Sequence, residues 1–157
     1  MPATTQQQRD SAKLFSLGIQ VSKAAATLPG TTTQNIFTVA GGRVWIVALV
    51  GEVTTVIQTQ ACNLKVTSVP TTGSAVDIAS NLNISAFEAG AILVVEGDGT
   101  ALIGTSAGAG FAPALNALPF IIPIGTLRIE TSATNTGATK WDLFYFPLDD
   151  GAYVVSA

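Results

Sequence analysis

The stretch IGTLRIETSATNTGATKWDLFYFPLDDG, residues 124–151, has two arms in which apolar and polar side chains alternate. The first arm covers residues 126–133 and the second covers residues 139–148. The connection between them is polar and contains Gly137, which tolerates the positive φ of a tight turn. Because a period of two is typical of half-buried strands, the stretch predicts a β-hairpin.

The second arm is apolar on both of its faces. Trp141, Leu143 and Tyr145 fall on one face, whereas Phe144 and Phe146 fall on the other. A strand of this kind needs cover on both sides. We therefore expect that a second sheet or another subunit provides this cover.

The rest of the chain also predicts strands. Residues 43–50, RVWIVALV, are the most continuous apolar run and are rich in β-branched side chains, which predicts a central strand. An earlier strand is expected over residues 14–21, and Gly41-Gly42 is typical of a hairpin turn. Turn residues recur about every 8–12 positions and divide the chain into roughly nine to eleven short strands. We predict an all-β fold in which residues 14–157 form a single-domain, jelly-roll-like β-sandwich.

The composition points to a surface that other chains cover. Charged residues make up 11% of the chain and hydrophobic residues 48%, with a mean hydropathy of +0.47. Soluble domains contain about 25% charged residues. Because charge is depleted where proteins bury surface against each other, we expect a homo-oligomer. The alternative is a soluble surface made polar by uncharged Thr, Ser, Asn and Gln.

Residues 1–13 are polar and predict a short extended N-terminal arm that contacts another chain. The arm residues chosen for this contact are Gln6, Gln7, Gln8 and Arg9. The N-terminus lacks the basic start and apolar core of a signal peptide, and no run of about 20 apolar residues predicts a membrane span. Net charge is −3 and the basic residues are scattered, so we expect no nucleic-acid partner.

Catalytic chemistry has little support in the residue types. The chain has no His, which removes the usual general base and the commonest metal ligand. Cys62 is the single cysteine, so a structural zinc site is not expected. Two carboxylates could form the acid and base of a glycosidase, but nothing in their spacing brings two together. We expect no enzyme, no cofactor and no metal site.

Two glycine-containing segments invite ligand interpretations. Residues 96–99, EGDG, place acidic side chains on a turn, but they lack the spacing of an EF-hand calcium loop. Residues 104–110 are rich in glycine, but they lack the Lys-Ser/Thr of a phosphate-binding P-loop. A β-turn and a plain loop are therefore the favoured interpretations.

The aromatic and aliphatic residues of the two most apolar strands are the candidates for packing and for an interface. They are Trp45, Ile46, Val50, Trp141, Leu143, Phe144, Tyr145 and Phe146. Aromatic side chains at strand spacing more often belong to cores and interfaces than to ligand platforms. The alternative is a sugar-stacking platform formed by the rings of Trp45, Trp141, Tyr145 and Tyr153.

Two stretches carry a resemblance: IFTVAGGRVWIVALVGEVTTVIQ, residues 36–58, and TGATKWDLFYFPLDDGAYV, residues 136–154. The matching pieces are Gly41-Gly42-Arg43-Val44, Leu49-Val50-Gly51-Glu52-Val53, Thr136-Gly137-Ala138, Lys140-Trp141, and Tyr145 with Pro147-Leu148-Asp149-Asp150-Gly151. They resemble a family of small virion structural proteins of tailed bacteriophages. Together the two stretches cover about a quarter of the chain, and their motifs are structural, not catalytic.

The resemblance implies a β-rich protein of the phage particle, made in the cytoplasm of the bacterial host. It implies a capsid decoration (cement) protein that forms a trimer and binds the major capsid protein or another virion protein. A tail or head–tail component fits the same resemblance. A different class of function also stays open: an appendage that recognises a host-surface glycan through exposed aromatic rings.

Overall fold

A computed structural model describes residues 17–108 and 119–157, and within these ranges the protein is built of β-strands. The strands are β1 (Ile19–Thr27), β2 (Thr33–Ala40), β3 (Val44–Thr55), β4 (Asn63–Pro70), β5 (Val76–Asn83), β6 (Ile92–Val95), β7 (Ile103–Gly104), β8 (Phe120–Ile122), β9 (Gly125–Thr131), β10 (Ala138–Pro147) and β11 (Tyr153–Ser156). In the described ranges no helix is long and apolar enough to cross a membrane.

The strands form two antiparallel sheets. The six-stranded sheet has the order β1-β10-β3-β6-β7, with β8 paired to β3, and the five-stranded sheet has the order β11-β2-β9-β4-β5. The all-β sandwich predicted from the sequence is therefore confirmed. The jelly-roll connectivity stays a prediction, as does a domain boundary at residue 13. The predicted arm, residues 1–13, lies outside the described residues.

The core lies between the two sheets and is almost entirely apolar. Its largest fully buried side chains come from both layers: Trp141, Phe37, Ile36, Ile46, Leu49, Ile57, Leu64, Ile84, Leu93, Leu102, Leu127 and Ile129. The ring of Trp141 lies directly over Gly51 of the neighbouring strand, where a Cβ atom would come within 2.9 Å of it. Gly51 therefore allows the widest side chain of the core to lie flat on β3.

The hairpin predicted over residues 124–151 is wrong. Its two arms are β9 and β10, but β9 pairs with β2 and β4, whereas β10 pairs with β1 and β3. The connection crosses from one sheet to the other. Buried Asn135 stabilises this crossing, because its Oδ1 accepts hydrogen bonds from the backbone N–H groups of Gln58 (3.2 Å) and Gly137 (3.0 Å).

The hairpin predicted at Gly41-Gly42 is wrong for the same reason, since β2 and β3 belong to different sheets. In each predicted hairpin, the inward apolar faces of the two arms meet across the core, because the arms belong to different sheets. The predicted first strand, residues 14–21, agrees with β1 over residues 19–21, and residues 14–16 lie outside the described residues. β1 extends to Thr27, because pairing with β10 outweighs the low strand propensity of residues 24–26, which are alanines.

A candidate apolar contact surface

The outer side of the six-stranded sheet carries a row of large apolar side chains. Trp45 of β3 lies opposite Phe146 of β10 on one side and opposite Ile121 of β8 on the other. Trp45 is 42% exposed and Ile121 is 58% exposed, whereas Phe146 is half-buried. We call these three residues, together with half-buried Phe144 and Val50, the Trp45 face.

The strand pattern places these side chains outward. Ile46 and Tyr145 lie opposite each other in the ladder, adjacent to Trp45 and Phe146 in sequence, and both are buried in the core. Because successive side chains of a strand point to opposite faces, Trp45 and Phe146 must point away from the core. The Trp45 face therefore arises because β3 and β10 carry apolar side chains on both faces.

The other end of the same outer face is polar. Lys140 Nζ lies 2.8 Å from Glu52 Oε2 across the ladder, and the hydrogen bond and charge of Glu52 raise the pKa of Lys140. The carboxylate of Asp142 accepts hydrogen bonds from the side chains of Gln20 and Ser22 on β1. The sheet therefore changes along its length from a paired polar region to the Trp45 face.

Two grooves lie next to the Trp45 face, and both are bordered by Pro70 and Pro123. The first has a volume of about 300 Å³ and is lined mainly by aliphatic side chains, including those of Val76 and Ile121. Val76 is 62% exposed, so an apolar side chain of the second sheet extends the apolar surface beyond β8. This groove connects the two sheets at one end of the sandwich.

The second groove also has a volume of about 300 Å³ and has an ion pair on its border. Arg43 donates from Nη2 to Asp149 Oδ1 at 2.7 Å and from Nε to Oδ2 at 2.9 Å. The hydrogen bonds from the Arg43 side chain and backbone lower the pKa of Asp149 to about 2. The bidentate geometry holds both side chains and positions the chain reversal after β10 against the start of β3.

The outer side of the five-stranded sheet has a different character, and we call Lys65, Thr67, Asp77, Arg128 and Glu130 the charged face. Lys65 Nζ lies 3.1 Å from Glu130 and 3.3 Å from Asp77, and Arg128 lies 3.0 Å from Glu130. The Thr67 hydroxyl donates to Asp77 at 2.8 Å and is the main cause of the lowered pKa of that carboxyl. The charged groups of this face are thus paired with each other within the protein, although Arg128 Nε is buried without a hydrogen-bond partner.

The structure divides the eight residues predicted for packing into two groups. Ile46, Trp141, Leu143 and Tyr145 are buried in the core, and Trp45, Val50, Phe144 and Phe146 are on the outer face. The polar atoms of the buried rings are satisfied: Trp141 Nε1 donates to Thr139 Oγ1 at 3.1 Å, and Tyr145 Oη accepts from Val154 N at 3.2 Å. Gln6, Gln7, Gln8 and Arg9 lie outside the described residues.

Sequence reasoning missed the aliphatic part of the surface. Ile121 could have been found, because a three-residue strand Phe120-Ile121-Ile122 must point its middle side chain away from its neighbours. Val76, and Ile124, which is 41% exposed and lines the second groove, had no such signal. Their exposure depends on how the ends of the two sheets meet, which a local pattern does not encode.

In the described ranges, no group of three or more Asp, Glu, His or Cys residues is placed to hold a metal ion. The acidic turn at residues 96–99 uses its carboxylate internally. Asp98 Oδ1 accepts from Thr100 N at 2.9 Å and from the Thr100 hydroxyl, which lowers the pKa of Asp98. The turn is thereby stabilised by its own side chain.

Comparison with known proteins gives little. No family model and no curated protein matches the chain. One solved structure, "Structure of infectious bursal disease virus Gx strain", matches with 14% sequence identity and a TM-score of 0.24. The match covers 87% of this chain and 33% of that chain, so this chain spans about a third of the matched protein's length. A TM-score this low carries no inference about fold or function.

Proposed function

We propose that the protein is a structural component of a phage virion, a decoration protein that binds the capsid shell through the Trp45 face. The single observation that carries the proposal is the outward-facing apolar row Phe146–Trp45–Ile121, which crosses three neighbouring strands of one sheet. A row of this kind, rich in aromatic side chains and free of charge, has the composition of an interface centre. The resemblance of residues 36–58 and 136–154 to phage virion proteins supports the same role.

The proposed role is mechanical and not enzymatic. Burying apolar surface against capsid subunits contributes about 25 cal/mol per Å², and the Lys140–Glu52 and Arg43–Asp149 pairs lie at the border of this surface. An oligomer that presents several such faces bridges neighbouring subunits, since each further contact forms at high effective concentration. The bridged shell resists internal pressure better than the unbridged one.

The test is cosedimentation of the purified protein with shells assembled from the major capsid protein of the phage that encodes it. Trp45→Ser is expected to weaken binding by about 30-fold, the effect of losing one central interface residue. Tyr153→Ser is the matched control, because Tyr153 is an exposed aromatic residue (50%) on the other sheet. Unchanged binding of Trp45→Ser, or equal losses in both variants, would contradict the proposal.

The predicted arm has its own test. We propose that residues 1–13 contact another chain, and deletion of residues 2–13 is expected to lower the solution mass measured by light scattering. The resemblance implies a trimer for the intact chain. If the deletion variant has the same solution mass as the intact protein, the arm does not form the oligomer contact. This outcome would not affect the test of the Trp45 face.

The exposure of Trp45 and Tyr153 also favours a second candidate, a virion appendage that binds a host-surface glycan. The two rings belong to different sheets, and neither lines one of the two grooves beside Pro123. A glycan array separates the candidates. Binding that is lost in Trp45→Ala, with an unchanged circular dichroism spectrum, would favour the appendage over shell attachment.

A further inference from the structure

The chain contains two Asp-Gly pairs, Asp98–Gly99 and Asp150–Gly151, and no Asn-Gly pair. At an Asp-Gly pair an aspartate reacts most readily with its own backbone, because glycine has no side chain to hinder attack by its nitrogen. Both pairs lie between strands, and both glycines have a φ of +82°. The two pairs therefore share their sequence and their glycine φ, and they differ in the bonds around them.

The groups of Asp98–Gly99 that would react are already hydrogen-bonded. Asp98 Oδ1 accepts from Thr100 N at 2.9 Å and from the Thr100 hydroxyl. Gly99 N donates to Ile78 O at 3.3 Å. The hydrogen bonds from Thr100 also lower the pKa of Asp98, which keeps its carboxyl in the ionised form that resists attack. Reaction at this pair therefore requires that these bonds break.

The corresponding groups of Asp150–Gly151 have no such partners among the described residues. The backbone bond of this turn, from Ala152 N to Asp149 O at 3.0 Å, flanks the pair and uses neither the Asp150 carboxylate nor Gly151 N. Both residues are exposed, and a Cβ atom added at Gly151 would meet no described atom within 4 Å. Asp150 and Gly151 therefore form the open tip of the turn, where the side chain has room to move and water has access.

We propose that Asp150–Gly151 is a site of spontaneous covalent modification, at which Asp150 becomes isoaspartate, and that the same reaction is suppressed at Asp98. In the first step Gly151 N attacks the protonated carboxyl carbon of Asp150, an N–C bond forms and one water molecule leaves, which gives a cyclic succinimide. In the second step water adds to one of the two ring carbonyls, and the N–C bond at that carbonyl breaks. Hydrolysis at the main-chain carbonyl gives isoaspartate, and water is the only other reactant.

Isoaspartate lengthens the backbone at a place where its path is closely fitted. The main chain then runs through Cβ of Asp150, which adds one carbon atom to the turn. A Cβ atom added at Gly41 would collide with the carbonyl oxygen of Gly151, so the turn lies tightly against the connection between β2 and β3. The preceding residue, Asp149, is bound by Arg43 at the border of the second groove. The modification therefore acts directly beside that groove.

Peptide mapping of the purified protein after prolonged warm incubation at mildly acidic pH tests the proposal. Mass spectrometry with electron-transfer fragmentation distinguishes isoaspartate from aspartate, which has the same mass. We expect about tenfold more isoaspartate at residue 150 than at residue 98, because only Asp98 has to break hydrogen bonds before it reacts. Equal amounts at the two residues, more at residue 98, or none at residue 150 would overturn the proposal.

Matched variants test the chemistry and the protection. Asp150→Glu should abolish the product at residue 150, because the longer side chain would have to close a less favourable six-membered ring, whereas Asp98→Glu should leave that product unchanged. Thr100→Val removes the hydroxyl and should raise isoaspartate at residue 98 about threefold. Circular dichroism checks that each variant is folded. An unchanged amount at residue 98 in Thr100→Val would contradict the protection by Thr100. Shell binding does not enter these experiments, so their outcome is separate from that of the proposed function.

Discussion

The two outer faces of the sandwich are built by the same alternating strands but differ in what they leave unsatisfied. On the charged face, Lys65 and Arg128 are paired with Asp77 and Glu130 within one chain. On the Trp45 face, the largest side chain, Trp45, is 42% exposed and lies between its ladder neighbours Phe146 and Ile121, which are also apolar. The low charge of the chain is thus unevenly distributed, and the face that lacks charge is the one available for a contact.

The largest expected effect separates the two tryptophans of the six-stranded sheet. Trp141→Ala should lower the free energy of unfolding by about 3–5 kcal/mol, since the ring is 1% exposed and lies against Gly51. Trp45→Ala should cost less than about 1 kcal/mol, because its ring lies on the outer face. Urea denaturation followed by circular dichroism measures both. Similar losses of the free energy of unfolding in the two variants would mean that Trp45 is buried within the isolated protein.

A smaller effect is expected on the charged face. Lys65→Met removes ion pairs to both Glu130 and Asp77 and should destabilise the protein by about 0.5–1 kcal/mol, because partly exposed pairs contribute little. Lys140→Met removes one pair, to Glu52, and should cost less. Chemical denaturation at low and high salt provides the comparison. A larger loss of stability in Lys140→Met than in Lys65→Met would contradict the conclusion that the ion pairs of the charged face contribute more.

The smallest effect is a pH dependence at the border of the Trp45 face. Arg43 lowers the pKa of Asp149 to about 2 in the folded protein, from an ordinary value of 3.8. The pair therefore contributes stability that is fully present above about pH 4 and is lost as the pH falls towards 2. Thermal unfolding between these pH values should show a weaker pH dependence in Asp149→Asn. Arg43→Met should weaken the pH dependence in the same way. If stability changes with pH as in the unmodified protein in both variants, the Arg43–Asp149 pair is not the source of the pH dependence.

Much of the fold could be predicted from residue patterns, because alternation reports which side chains share a face. The inward set Trp141, Leu143 and Tyr145 and the outward set Phe144 and Phe146 were separated correctly by period alone. The pairing partners were not predictable in the same way. β9 and β10 are close in sequence and have matching apolar faces, and these properties suit a hairpin and a crossing between sheets equally well.

The candidate surface was accessible to sequence reasoning only in part. Trp45 and Phe146 were chosen as packing residues, but alternation alone does not show that the ladder places Ile121 beside Trp45. Val76 joins the surface through a groove between sheet ends, and no neighbour in sequence indicates it.

The strand order has a consequence for the chain as it leaves the ribosome. Within the described residues, β1 pairs only with β10, and β2 pairs only with β9 and β11, so both wait for partners that lie after residue 124. At about 5–20 residues per second, these early strands spend several seconds without partners. Closing such long loops makes folding slow, and it couples the first strands to the last ones. A chain that stops before residue 138 exposes β1 without β10, and synthesis has to reach Pro147 before this edge of the six-stranded sheet can form.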